Sequence, residues 1–168
     1  MSQAAAALCY PMELDAAAIQ GLLPHRGEIL CVRRVTVLAH DRYVGQALWP
    51  RELPILQGHF PGMPVVPGVL LVEAVAQVAG AGMLAGDPLA RAMGDGYVGL
   101  LAGIRKCSFR RPVRADEWVT IEAHSRQMAP TAASLSSRLC IGDAEVASIE
   151  ILVVNTPRAD LGLAQAQD

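Results

Sequence analysis

His59 stands in the run Gln57-Gly58-His59-Phe60-Pro61-Gly62-Met63-Pro64-Val65-Val66-Pro67-Gly68, and Glu73 follows five residues into an almost wholly apolar stretch. An imidazole and a carboxyl group are what acid–base chemistry uses, one to take a proton and the other to give one. Three prolines fix φ at about −65°, and three glycines permit the tight turns between them, so the spacing predicts His59 on a held loop. Pro67 suits the opening of a helix, whose first-turn amides then remain free to hold a carbonyl oxygen.

That helix is predicted from Gly68 to Gly86. It has no polar face and must be wrapped on all sides. Glu73 and Gln77 are its only strongly polar members, and four-residue spacing puts them on one face, where the amide can orient the carboxyl group. A carboxyl group desolvated among Val, Leu and Ala should have a raised pKa and serve as a proton donor. Each residue alone has a plainer reading. A lone Glu in an apolar helix is equally a carboxylate paired with an arginine at a subunit edge, and a loop histidine beside prolines is more often structural.

Together they match a family. The chain resembles the 3-hydroxyacyl-[acyl carrier protein] dehydratases of the FabZ type in Gly58-His59-Phe60-Pro61, Pro64, Pro67-Gly68-Val69 and Glu73-Ala74-Val75-Ala76-Gln77. Leu22-Leu23-Pro24-His25-Arg26 and Ala102 to Val113 look like two further family signatures, and order and spacing agree from Leu22 to Val154. The resemblance implies an α+β hotdog fold, a long central helix wrapped by a curved antiparallel sheet. It implies active sites built between two chains, in a homodimer or a hexamer of three dimers. In it His59 is the base at C2, Glu73 of the partner chain protonates the leaving hydroxyl, Gln77 orients the acid, and the amides of Gly68 and Val69 hold the thioester carbonyl. Neither a metal nor an organic cofactor is called for, and the substrate arrives on an acyl carrier protein.

Arg105, Lys106, Arg110, Arg111 and Arg114 form a basic cluster, read either as a solvated strand with local pairing or as a docking surface for that acidic carrier. His25 and Arg26 match the family without an assigned duty, and Tyr97 and Leu101 are candidates for an acyl tunnel, Leu101 more for the core. Gly27-Glu28, Arg33 and Arg105 depart from the family pattern, which admits a specialised lipid, polyketide or polyene pathway beside ordinary fatty-acid elongation. Glu at position 73 is closer to plain dehydratases than to relatives that also isomerise the double bond. The alternatives are a hotdog acyl thioesterase and a non-catalytic acyl-binding subunit.

The elements follow from pattern. A helix near Leu14 to Leu22, a hairpin of Ile29 to Leu38 and Arg42 to Trp49, the long helix and four strands give one sheet against one buried helix, an α+β arrangement. Val119, Ile121 and Ala123 alternate with Thr120, Glu122 and His124, as in a half-buried strand. Residues 86–96 are expected as a loop, 1–155 as one domain and 156–168 as a mobile tail. A net charge of −2 with 4% aromatics lacks the basic face and stacking rings of a nucleic-acid binder. Four dispersed cysteines form no CxxC pair, which argues for a reduced, intracellular protein. Residues 1–8 lack a secretory pattern, and Glu73 and Gln77 argue against a membrane span, so the expected location is the cytoplasm.

Overall fold

The computed structural model describes residues 8–162. Seven strands form one antiparallel sheet: β1 (Met12–Leu14), β2 (Val32–Ala39), β3 (Arg42–Ala47), β4 (Tyr97–Phe109), β5 (Val119–Ala129), β6 (Ala132–Ile141) and β7 (Ala144–Pro157). Their spatial order is β1-β2-β3-β5-β6-β7-β4, so the chain joins β3 to β5 in the middle and leaves β4 on an edge. Between β3 and β4 run α2 (Pro54–His59), α3 (Gly68–Gly86) and α4 (Pro88–Met93), while α1 (Ala16–Leu22) follows β1.

The helix α3 has the predicted bounds because nothing inside it stops it: Pro67 caps its start and Asp87-Pro88 ends it. Its length and composition would let it cross a bilayer, yet it is the core helix, with Leu71, Val72, Ala74, Val75, Val78, Ala79 and Ala81 all buried. Opposite lie Val35 and Val37 of β2, Val119 and Ile121 of β5, Leu135 and Leu139 of β6, and Ile149 and Ile151 of β7, each essentially inaccessible. The alternation read in β5 is therefore the pleat facing the helix.

Two glycines set how close helix and sheet come. A Cβ on Gly45 of β3 would stand 2.1 Å from Val78 Cγ2, and one on Gly82 of α3 would stand 2.3 Å from the Tyr43 ring. Tyr43 cannot move aside, since its hydroxyl donates to His40 O at 2.6 Å and lies 3.1 Å from Ser125 Oγ.

Four expectations are corrected. Residues 86–96 contain α4, whose N-cap Asp87 accepts from the amides of Leu89 (2.7 Å) and Ala90 (3.0 Å), with Pro88 in the first turn. The domain continues past residue 155: β7 runs to Pro157, where Tyr97↔Pro157 closes the ladder with β4, and a 3-10 turn, Arg158–Leu161, follows. Residues 163–168 lie outside the described part, as do residues 1–7. The first hairpin strand begins at Val32 because Gly27–Ile29 form a 3-10 turn. Leu101 is 45% exposed on edge strand β4, not in the core.

Candidate active site

His59 is the last residue of α2 rather than part of a loop. Pro54 opens that helix, and Gln57 Nε2 donates to Arg51 O at 2.7 Å, but no side chain caps its start. The Pro/Gly segment after it is held by backbone pairing to the β4–β5 connection. Val66 N–H donates to Val113 O at 2.8 Å and Ala115 N–H to Pro64 O at 3.0 Å. That connection is tied back in turn: Asp116, at φ 65°, accepts from Arg51 N at 3.1 Å and from Arg51 Nε at 3.3 Å.

His59 Nδ1 lies 3.0 Å from Val65 O. A carbonyl oxygen can only accept, so Nδ1 carries the hydrogen and Nε2 presents its lone pair outward. That is the tautomer of a proton acceptor. The Phe60 ring lies tilted beside the imidazole, with centroids 4.3 Å apart.

At the start of α3, Leu70 N–H donates to Pro67 O at 2.9 Å, and the amides of Gly68 and Val69 are the first-turn donors that no preceding helical carbonyl can serve. Gly68 lets the Phe109 ring lie over the helix start; a Cβ would come within 2.7 Å of the ring's tip and make that half-exposed side chain shift.

Glu73 faces an apolar cavity of about 110 Å³ along the less buried side of α3, where Ala76, Gly80 and Leu84 follow it at helical spacing. Leu22, Leu23, Met83, Met93 and Val98 complete its walls, with Tyr97, Asn155 and Arg158 among its polar members. Gln77, 1% exposed, orients the acid: its Nε2 donates to Glu73 Oε1 at 2.8 Å and to Ile29 O at 2.6 Å. Its own oxygen accepts from Cys31 N at 3.2 Å and Val32 N at 3.4 Å. The amide thus ties α3 to the entrance of β2.

The expected raised pKa of Glu73 is not what the chain builds. The contact with His25 holds the carboxyl below the usual carboxylate range. Burial opposes that shift, and the Gln77 hydrogen bond adds to it. The side chain is 27% exposed, so the desolvation expected of an all-apolar helix is incomplete. Sequence reasoning left His25 without a duty; its Nε2 stands 3.2 Å from Glu73 Oε1. Its Nδ1 is buried without a hydrogen-bond partner among the described residues. Nε2 faces a carboxylate oxygen, which can only accept, so the ring carries a hydrogen on Nε2. Nearby, burial and the Glu73 charge push the Cys31 thiol up to about 12.

Glu73 and His25 are therefore gathered at one cavity, which Tyr97 also lines, and Gln77 reaches it only through its hydrogen bond to Glu73. His59 is not among its lining residues in one chain. Gly68 and Val69 sit one turn before Glu73 on α3. Of the basic cluster, Arg110 Nε pairs with Glu145 at 2.5 Å, Arg111 lies 3.9 Å from Glu117, and the Arg114 amide donates to Glu117 Oε2 at 2.8 Å. Arg105 and Lys106 project from edge strand β4 and are exposed. Among the described residues no His, Cys, Asp and Glu group is arranged to hold a metal ion.

The FabA-like domain profile matches residues 23–152. The 3-hydroxyacyl-[acyl-carrier-protein] dehydratase FabZ of Desulforamulus reducens is 36% identical over 140 residues, covering 83% of this chain and 95% of that protein. Its namesake in Syntrophotalea carbinolica is 35% identical over 151 residues, covering 88% and 99%. Among solved structures, the dehydratase heterocomplex ApeI:P from Xenorhabdus doucetiae superposes with a TM-score of 0.66 at 14% identity, over 85% of this chain and 93% of that one. Cj0977, a sigma28-regulated virulence protein of Campylobacter jejuni, gives 0.59 at 13% identity, over 83% and 89%. These two likenesses speak to the fold, the hotdog arrangement of long helix and wrapping sheet.

Proposed function

The chain belongs to the FabA-like family, and from that membership and the chemistry of the cavity we propose that it dehydrates (3R)-3-hydroxyacyl-[acyl carrier protein] to the trans-2-enoyl thioester in fatty-acid biosynthesis. One observation carries the reading: an apolar slot has at one side a carboxyl group whose Oε1 is engaged and whose Oε2 has no polar partner among the described residues. An acyl chain fills such a slot and brings its 3-hydroxyl to the open oxygen.

The step divides among three groups. Nε2 of His59 takes the C2 proton, and the electrons move onto the thioester oxygen, held by the amides of Gly68 and Val69 at the positive end of the helix dipole. Oε2 of Glu73 gives its proton to the 3-hydroxyl, the C3–O bond breaks, water leaves, and the enolate electrons form the C2=C3 bond. The imidazolium and carboxylate left behind are reset by proton return through solvent. Filling the cavity with substrate removes water from Glu73 and raises its pKa toward the protonated form the step requires.

His59 of the partner subunit completes each site. The β4 edge supports a second copy: thirteen residues long, it exposes Leu100, Leu101 and Ile104 beside an unpaired backbone edge, a surface that native proteins cover. Among the described residues Arg105 and Lys106 have no ion pair like the one that engages Arg110, and they are the better candidates to meet an acidic carrier, in the cytoplasm.

The test is hydration of enoyl thioesters, read as loss of enoyl absorbance, on carrier-bound and short pantetheine substrates. His59→Ala and Glu73→Gln are expected to lose about 10²–10⁴-fold each on both. Lys106→Glu should slow only the carrier-bound reaction. A His59→Ala enzyme that kept most of its activity would refute the base assignment, and thiol release without hydration would turn the reading to a thioesterase.

A further inference from the structure

We propose that His25 is a positioning residue for Glu73: with Gln77 it holds Oε1, so that Oε2 becomes the oxygen that carries and delivers the proton. The inference rests on the dehydratase reading and adds a residue to it.

Two side chains from different segments converge on one oxygen. Gln77 Nε2 reaches Oε1 at 2.8 Å from within α3, and His25 Nε2 stands 3.2 Å from the same atom, from the segment after α1. The histidine approach is an ion-pair contact without the alignment of a hydrogen bond, so this is the softer of the two restraints. Oε2 has no such contact among the described residues. Nε2 of His25 faces an oxygen that can only accept, so it is the nitrogen that bears hydrogen, which makes the ring a donor toward Glu73.

Both donors act on whichever oxygen lacks the proton. When the carboxyl group is protonated, the oxygen that accepts from Gln77 and faces the His25 ring nitrogen is the carbonyl oxygen, and the hydrogen sits on the other one. Gln77 alone leaves the carboxyl plane able to turn about its single hydrogen bond. His25, approaching from another element, stops that turn. It also lines the cavity, so the restraint sits beside where substrate binds.

The readout is kcat against KM for hydration of a short enoyl thioester by the full-length protein. His25→Leu removes the donor. His25→Gln restores an amide N–H at about the same reach without an ionisable ring, and His25→Asn carries the same amide one carbon short. A carboxyl group misplaced by about 1 Å costs on the order of 10²-fold, so His25→Leu and His25→Asn should lower kcat by about 10–100-fold. With substrate binding untouched, KM should stay within about threefold. His25→Gln should recover most of kcat, which a merely structural role would not produce.

Normal kcat in the Leu and Asn variants would overturn the proposal. So would equal loss in Asn and Gln, which would make ring ionisation the requirement, or a raised KM at constant kcat, which would make His25 a substrate-binding group. Should His25→Leu fail to fold, the Asn and Gln pair decides alone. If the wild type itself hydrates nothing, the dehydratase reading fails instead, and a wild type that is active beside an inactive Glu73→Gln separates the two.

Discussion

Replacing Gln77 by Met tests whether one buried amide fastens the catalytic helix to the sheet. Met matches Gln closely in length and helix propensity, so the change removes hydrogen bonds with little change of shape. The amide donates to Ile29 O (2.6 Å) and Glu73 Oε1 (2.8 Å) and accepts from Cys31 N (3.2 Å) and Val32 N (3.4 Å). Glu73 retains its exposure and can recruit water. Val32 N, at the limit of hydrogen-bond range, loses little. Ile29 O and Cys31 N, at the entrance of β2, are left without that partner. At about 1–3 kcal/mol for each stranded group, the loss is about 2–6 kcal/mol, less about 1–2 kcal/mol because Met no longer buries an amide. A net cost of about 1–4 kcal/mol is a sizeable part of an ordinary stability of about 5–15 kcal/mol. For a chain of this size it should lower Tm by about 2–16 °C. Circular dichroism melts at one fixed protomer concentration would read it, since dimerisation makes Tm concentration-dependent. A Tm within about 2 °C of wild type would show that the surrounding backbone finds other partners and that Gln77 serves Glu73 only.

Two further outcomes are expected. Gly45→Ala places a methyl group 2.1 Å from Val78 Cγ2, between strand β3 and helix α3. It should destabilise by about 1–3 kcal/mol in urea titrations, and an unchanged midpoint would mean the helix lifts from the sheet at no cost. The lowered pKa of Glu73 makes its contacts a source of stability above the unfolded carboxyl value. That stability is lost as pH falls through the folded value. The Tm difference between wild type and Glu73→Gln should therefore be widest near neutrality and shrink below about pH 4.5, modestly because the group is part-exposed. A difference that widened in acid would reverse the sign of the assigned contact.

The long helix was legible to the residue because its signals are local and mutually consistent: Pro67 to open, Asp87-Pro88 to close, and nineteen residues between that are small or apolar except Glu73 and Gln77. Strand β5 was legible because the period-two pattern of Val119, Ile121 and Ala123 survives packing on one face. Helix α4 was missed although Asp87-Pro88 is a cap followed by a first-turn proline, because the surrounding glycines read as loop. Helix α2 was missed because it is six residues long and no side chain caps its start. Strand β1, three residues long, has no pattern of its own and forms only because Met12 to Leu14 pair with Val37 to Val35.

The error over Glu73 has a different origin and bears on the mechanism. Spacing along one helix discloses Gln77, four residues on, but not His25, which reaches the carboxyl group from forty-eight residues upstream. Composition of the helix therefore predicted desolvation, and desolvation alone raises a carboxyl pKa. The folded chain adds a contact that stabilises the anion, so the resting group is a carboxylate, and on the proposed reading it takes up the proton the hydroxyl needs once substrate is bound. A site whose cavity contains the acid but not His59 within one chain is suited to that order of events. On the proposed dehydratase reading, substrate and a second subunit together would exclude water from Glu73 and place the proposed base beside it. On this account the contacts at Oε1 do not supply acidity. They decide which oxygen receives the proton, so that when closure raises the pKa the hydrogen already faces the hydroxyl it will leave with.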